Sequence, residues 1–93
     1  MKVRFEEGAL ADLGDIFTYV AADNPKAAAE LVEHIEHAVM LIGQQPAMGR
    51  RTKRPDLKQL AVEKYLIVYE IASEEIIIQY VRHGARKRKW EEG

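Results

Sequence analysis

The chain has 93 residues, 47% of them hydrophobic and 31% charged, a globular composition for one domain rather than a disordered or fibrous one. There is no cysteine, which excludes a disulfide framework and a thiolate metal site, and apolar runs of about four residues fall far short of the roughly 20 that span a bilayer. The net charge of −1 hides an asymmetry: residues 1–49 carry three basic and eight acidic groups, net −5, and residues 50–93 carry eleven basic and seven acidic ones, net +4.

In chain order, Val3 and Phe5 alternate with Lys2 and Arg4, which predicts a short strand joining a sheet edge. No apolar run follows these cations, so no signal peptide is expected. Ala9 to Ala22 is predicted helical, with Leu10, Leu13, Ile16, Phe17 and Val20 as one apolar stripe. Asp23-Asn24-Pro25 punctuates the chain: Asn24 is a good N-cap and Pro25 suits a first helical turn. A second helix runs to about Gln44, with Ala28, Leu31, Val32, Ile35, Ala38, Val39 and Ile42 inward. So short a connection implies an antiparallel helical hairpin. His34 and His37 lie one turn apart on its charged side, but without a third nearby ligand they point to a solvated face and not to a metal.

Residues 43–56 read as a loop with two glycines, two prolines and the cations Arg50, Arg51, Lys53 and Arg54. Leu57–Val62 reads as a strand with Leu60 and Val62 on one face. Tyr65–Ile71 and Ile76–His83 are β-branched and aromatic runs around a polar break, the signature of a hairpin. The whole is an α+β domain, β-α-α-β-β-β, with a helical hairpin packed on one face of an antiparallel sheet. The domain is expected to span residues 1–86, with 87–93 as a basic, flexible tail.

The chemistry narrows by elimination. There is no glycine-rich phosphate loop, no nucleophile elbow and a single serine, Ser73, in a predicted turn. What remains is a cationic set: Arg50, Arg51, Lys53, Arg54, Lys58, Arg82, His83 and Arg86. A basic half favours an anionic partner, although an ordinary solvated face gives the same count. A phosphoryl-transfer site would draw on His83 as acid or base and on Arg82 and Arg50 as phosphate clamps. Strand alternation sends adjacent Arg82 and His83 to opposite faces unless the strand ends there. The alternative is structural, with His83 closing the strand and the arginines paired to Asp56 or Glu70.

The ordered pieces Ala9-x-x-Asp12-Leu13, Ile16-x-x-Tyr19-Val20-Ala21, Asp23-Asn24-Pro25-x-x-Ala28, Pro46-x-x-Gly49-Arg50, Leu60-x-Val62-x-x-Tyr65-x-x-x-Tyr69 and Ile78-x-x-Val81-x-His83-Gly84-x-Arg86 together resemble the ParE branch of the ParE/RelE toxin superfamily. That resemblance implies a cytoplasmic toxin of the plasmid-stabilisation type. It would act on DNA gyrase by binding, without a cofactor, and be held inactive in a hetero-oligomer by a ParD-like antitoxin lying in an apolar groove. Target or antitoxin contacts would fall on Arg50, Arg51, Arg54, Tyr65, Tyr69, Arg82, His83 and Arg86. The RelE branch instead cleaves mRNA on the ribosome. Here Tyr65–Ile71 carries no cation and no tyrosine lies beyond Tyr80, departures that favour ParE. Glu7-Gly8 stands where ParE chains commonly have Ser-Pro. A third expectation is a binding module that has lost toxicity.

Overall fold

The computed structural model describes residues 1–84. Strand β1 (Lys2–Phe5) leads into helix α1 (Glu7–Asp23) and then helix α2 (Pro25–Gln44). A 3₁₀ turn (Pro46–Met48) and a two-residue strand β2 (Arg50–Arg51) follow, then β3 (Leu57–Val62), β4 (Tyr65–Ile71) and β5 (Glu75–His83). Asn24 serves both helices. Its N–H donates to the Val20 carbonyl at 2.8 Å, ending α1. Its side-chain oxygen accepts the Ala27 N–H at 3.0 Å, starting α2.

The five strands lie in the order β1-β5-β4-β3-β2. β2 to β5 form an antiparallel meander that begins at the far edge and returns. β5 comes to rest beside β1, and that pair is parallel. The sheet is therefore mixed where a wholly antiparallel one was expected. The cause is the helical hairpin: it carries the chain away from β1, so β5 can approach in the same direction.

Both helices cover one face. Leu31, Ile35 and Ile42 of α2 pack with Ile67, Tyr69, Ile76, Ile78 and Val81 of the sheet, all buried. From α1, buried Ala9 and half-buried Leu13, Ile16 and Val20 complete this layer. Leu10 and Phe17, placed in the same stripe from the sequence, are instead 56% and 42% exposed. At 3.6 residues per turn they lie roughly 80° around the helix from the Ala9–Val20 line. The sheet accepts only the narrower arc, and these two side chains form an apolar outer flank.

Candidate functional site

Two features of the sheet decide what its uncovered face presents. The first is register. Leu66 lies opposite Arg82, and Gln59 opposite Val68. By strand alternation these residues share the face away from the helices. The second is a bulge. Tyr69 pairs with Ile78 but the adjacent Val68 pairs with Tyr80, so Gln79 is an extra residue in β5. Gln79 donates to the Glu70 carboxylate at 3.0 Å on the open side. Beyond the bulge, Val81 and His83 turn toward the helices, while Tyr80 and Arg82 face out.

A cleft of about 290 Å³ results. Its floor is Gln59 of β3 and Leu66 of β4; one wall is Arg82 and Gly84, and the other is Arg51, Thr52 and Lys53. Arg82 is only 8% exposed, while Arg51 and Lys53 are exposed at the rim. The Arg82 guanidinium donates to the His83 carbonyl at 3.2 Å, which orients it along the end of β5.

The loop carrying Lys53 is fixed by Thr52. Its hydroxyl lies 2.8 Å from the Arg54 carbonyl and 3.1 Å from that of Leu57, and it accepts the Arg54 N–H at 3.1 Å. The segment ahead of β2 is fixed by Tyr69, whose hydroxyl accepts the Gly49 N–H at 2.9 Å and donates to the Pro46 carbonyl at 2.6 Å. Burial pushes the Tyr69 phenol above its ordinary value, and the Gly49 N–H pulls the other way. Gly49 is required by proximity: a Cβ there would stand 2.5 Å from the Tyr69 hydroxyl oxygen.

The other sequence-predicted residues divide clearly. Arg51 and Arg82 meet in the cleft, with Lys53 between the loop and its rim. Arg50 sits in β2 opposite Gln59 but outside the cleft lining. Arg54 pairs with Asp56 at 3.2 Å, both exposed. Tyr65 packs on the helix side and meets the His83 ring edge-on at 5.3 Å. Tyr69 is wholly buried and anchors the loop, leaving no surface for a partner. Arg86 and the basic tail lie outside the described residues. Gln59 and Leu66 escaped the sequence reading, because nothing in composition marks a polar and an apolar strand residue as neighbours across β3 and β4.

Among the described residues no helix is long and apolar enough to cross a membrane. His34 is bonded to Glu63 in the β3–β4 turn, and this carboxylate raises the imidazole above its ordinary value. A second hollow, about 430 Å³ and more apolar, lies where β1 meets the end of α2, lined by Met1, Val3, Val39, Met40 and Gly43.

The family described as the ParE toxin of type II toxin-antitoxin systems, parDE, matches residues 3–88. The chain belongs to this family. A candidate toxin of Sinorhizobium fredii (strain NBRC 101917 / NGR234), Y4kP, is 33% identical over 85 residues, covering 89% of this chain and 88% of its own. The ParE-type fold recurs in a solved chain of the chromosomal ParDE system from P. aeruginosa. That chain superposes with a TM-score of 0.80 at 24% identity, over 89% of this chain and 95% of the other. A chain of the RelBE2 toxin-antitoxin complex from Mycobacterium tuberculosis shares the fold more loosely, with a TM-score of 0.62 at 23% identity over 88% and 95%.

Proposed function

We propose that this ParE-family chain is a toxin that arrests DNA gyrase by protein–protein contact, performs no catalytic step of its own, and is neutralised in the cytoplasm by a ParD-like antitoxin. The observation that carries this reading is the separation of Arg82 from His83. A nuclease of the mRNA-cleaving kind needs a clamp and a proton carrier on one phosphate. Arg82 lines the open cleft, whereas His83 meets Tyr65 edge-on on the other side of the sheet. No histidine, tyrosine or carboxylate lines the cleft among the described residues.

An antitoxin partner is supported by family membership and by the two solved relatives, both parts of toxin-antitoxin systems. The exposed Leu10 and Phe17 flank of α1 offers an amphipathic segment an apolar docking strip. The experiment is a supercoiling assay with purified gyrase at micromolar toxin, with and without antitoxin. Inhibition relieved by antitoxin is the expected result. Absence of inhibition defeats the gyrase reading, and cut mRNA on translating ribosomes supports the nuclease instead. Full growth on expression without any partner would leave a binding module only.

A further inference from the structure

We propose that the outer face of α1 receives a helix of the antitoxin that carries lysine or arginine within its apolar face; this rests on the reading above that an antitoxin docks on α1. Three large side chains of α1 stand in solvent: Leu10 is 56% exposed, Phe17 42% and Tyr19 75%. At 3.6 residues per turn, Leu10 and Phe17 fall on one side of the helix and Tyr19 on the other. Between them, on the side away from the sheet, lie Ala11, Gly14, Thr18 and Ala22, all exposed and all small. A Cβ added at Gly14 would meet nothing within 4 Å. The face is thus a shallow trough with apolar walls and a floor that another backbone can approach closely.

The trough selects a helix over a strand. Backbone groups in the middle of α1 are bonded within the helix. An extended segment laid across them would find no partners for its own N–H and C=O groups, whereas a helix brings its bonds with it.

Charge selects the chemistry of that helix. α1 contains Glu7, Asp12, Asp15 and Asp23 and no lysine or arginine. Asp12 accepts the Val81 N–H, and Glu7 stands in the first turn, where the helix dipole favours it. Asp15 has no such role. It is exposed in mid-helix, follows Asp12 by three residues, and has no cation three or four residues away on either side, an arrangement that weakens an isolated helix. No ion pair among the described residues includes it. By helical angle Asp15 lies between Ala22 and Tyr19, inside the trough. A cation on the docking helix meets it there. A second copy of this chain fits badly, because a two-fold pairing sets the same acidic face against itself and removes water from like charges without a counter-charge.

The test is calorimetric titration of the full chain with its purified cognate antitoxin, with a urea midpoint for every variant. Asp15→Lys should fold with a midpoint no lower than the parent's, yet weaken capture at least about tenfold, by a factor that grows as salt is lowered. Thr18→Gln keeps the charge and lengthens a floor side chain; it should also weaken capture at least about tenfold by lifting the partner helix from the floor. Glu74→Lys makes the same charge reversal at an exposed site in the β4–β5 turn and should stay within about twofold of the parent. Unchanged or stronger capture by Asp15→Lys, or an equal loss in Glu74→Lys, overturns the cationic helix. Unchanged capture by Thr18→Gln overturns the close approach. Self-association of the parent that tightens in Asp15→Asn would make the occupant a second copy and overturns the proposal as well. The docking reading fails separately, since Leu10→Ser with Phe17→Ser tests it without touching charge. Capture weakened in that pair but not in Asp15→Lys defeats the charge pattern alone, and capture unchanged in both defeats docking on α1 itself.

Discussion

The Asp12 carboxylate on α1 accepts the backbone N–H of Val81 at 3.0 Å, at the point where the bulge in β5 reverses which residues face the helices. This bond ties the first helix to the last strand and holds the register that sends Arg82 to the open face. Asp12→Ala leaves the Val81 N–H without an acceptor in a half-buried setting, a loss of about 1–3 kcal/mol. Urea denaturation should show it, with faster amide exchange at Val81. Asp12→Asn keeps an oxygen acceptor and should retain most of the stability. A midpoint unchanged in the alanine variant would contradict this role.

Much of the layout was legible because punctuation is strong. Asn24-Pro25, Glu63-Lys64 and Ala72–Glu74 fix the bounds of α2, β3 and β4. The bulge was hidden by its own surroundings. Ile76, Ile77, Ile78, Tyr80 and Val81 are all apolar, so no alternation marks the skipped Gln79. β2 is too short to carry a period, and its pairing with β3 comes from the Tyr69 and Thr52 anchors around it. The cationic set was visible as a list, and alternation already put Arg82 and His83 on opposite faces; only the cross-strand register and the bulge decide that Arg82 takes the open face and His83 the helix side.

Tyr69 and Gly49 should behave as a coupled pair. Tyr69→Phe removes an acceptor for the Gly49 N–H and a donor for the Pro46 carbonyl, both in buried or half-buried positions, a cost of about 1–3 kcal/mol. Gly49→Ala forces a Cβ against the phenol oxygen and should cost a similar amount. Part of that clash vanishes once the hydroxyl is gone. The double variant should therefore lose less than the two singles combined, by at least about 0.5 kcal/mol. Strict additivity in chemical denaturation would show that the contact is not shared.

The Tyr69 phenol should also ionise later than an ordinary tyrosine. Its raised pKa means that the fold favours the protonated form. The contribution is fully present below pH 10, the unfolded value, and is lost as pH rises through the folded one. Absorbance titration of Tyr69→Phe against the parent identifies the missing late transition. An early transition in the parent would reverse the sign.

His34 offers the same logic near neutrality. Its pKa is raised chiefly by the Glu63 hydrogen bond, with smaller help from Glu30 and Glu33. The bond links α2 to the β3–β4 turn, where Glu63 adopts a left-handed φ of 54°. A raised histidine value means stability fully present below pH 6.5 and lost as pH rises through the folded value. Both groups are largely exposed, so the effect on global stability should be small. The direct readout is the His34 ring-proton titration, with a midpoint above 6.5 that falls toward it in Glu63→Gln. An unmoved midpoint in that variant would assign the shift to Glu30 and Glu33.

The outer flank of α1 distinguishes surface from core on one helix. Leu10 and Phe17 are exposed, while Leu13 and Ile16 pack on the sheet. Leu10→Ser with Phe17→Ser removes side chains that are 56% and 42% exposed, so each site should cost about 1 kcal/mol, less than a core truncation. Ile16→Ala, by contrast, opens space against the sheet and should cost about 2 kcal/mol or more. If the flank receives the antitoxin segment, the serine pair should also weaken antitoxin capture at least about tenfold, mostly through faster dissociation. Calorimetric titration with antitoxin checks affinity, and a stopped-flow chase checks the rate. A loss per site as large as that of Ile16→Ala would place these side chains in the core after all. Intact stability with unchanged capture would move the antitoxin to the hollow between β1 and α2, where Met40 is 61% exposed beside Met1 and Val3.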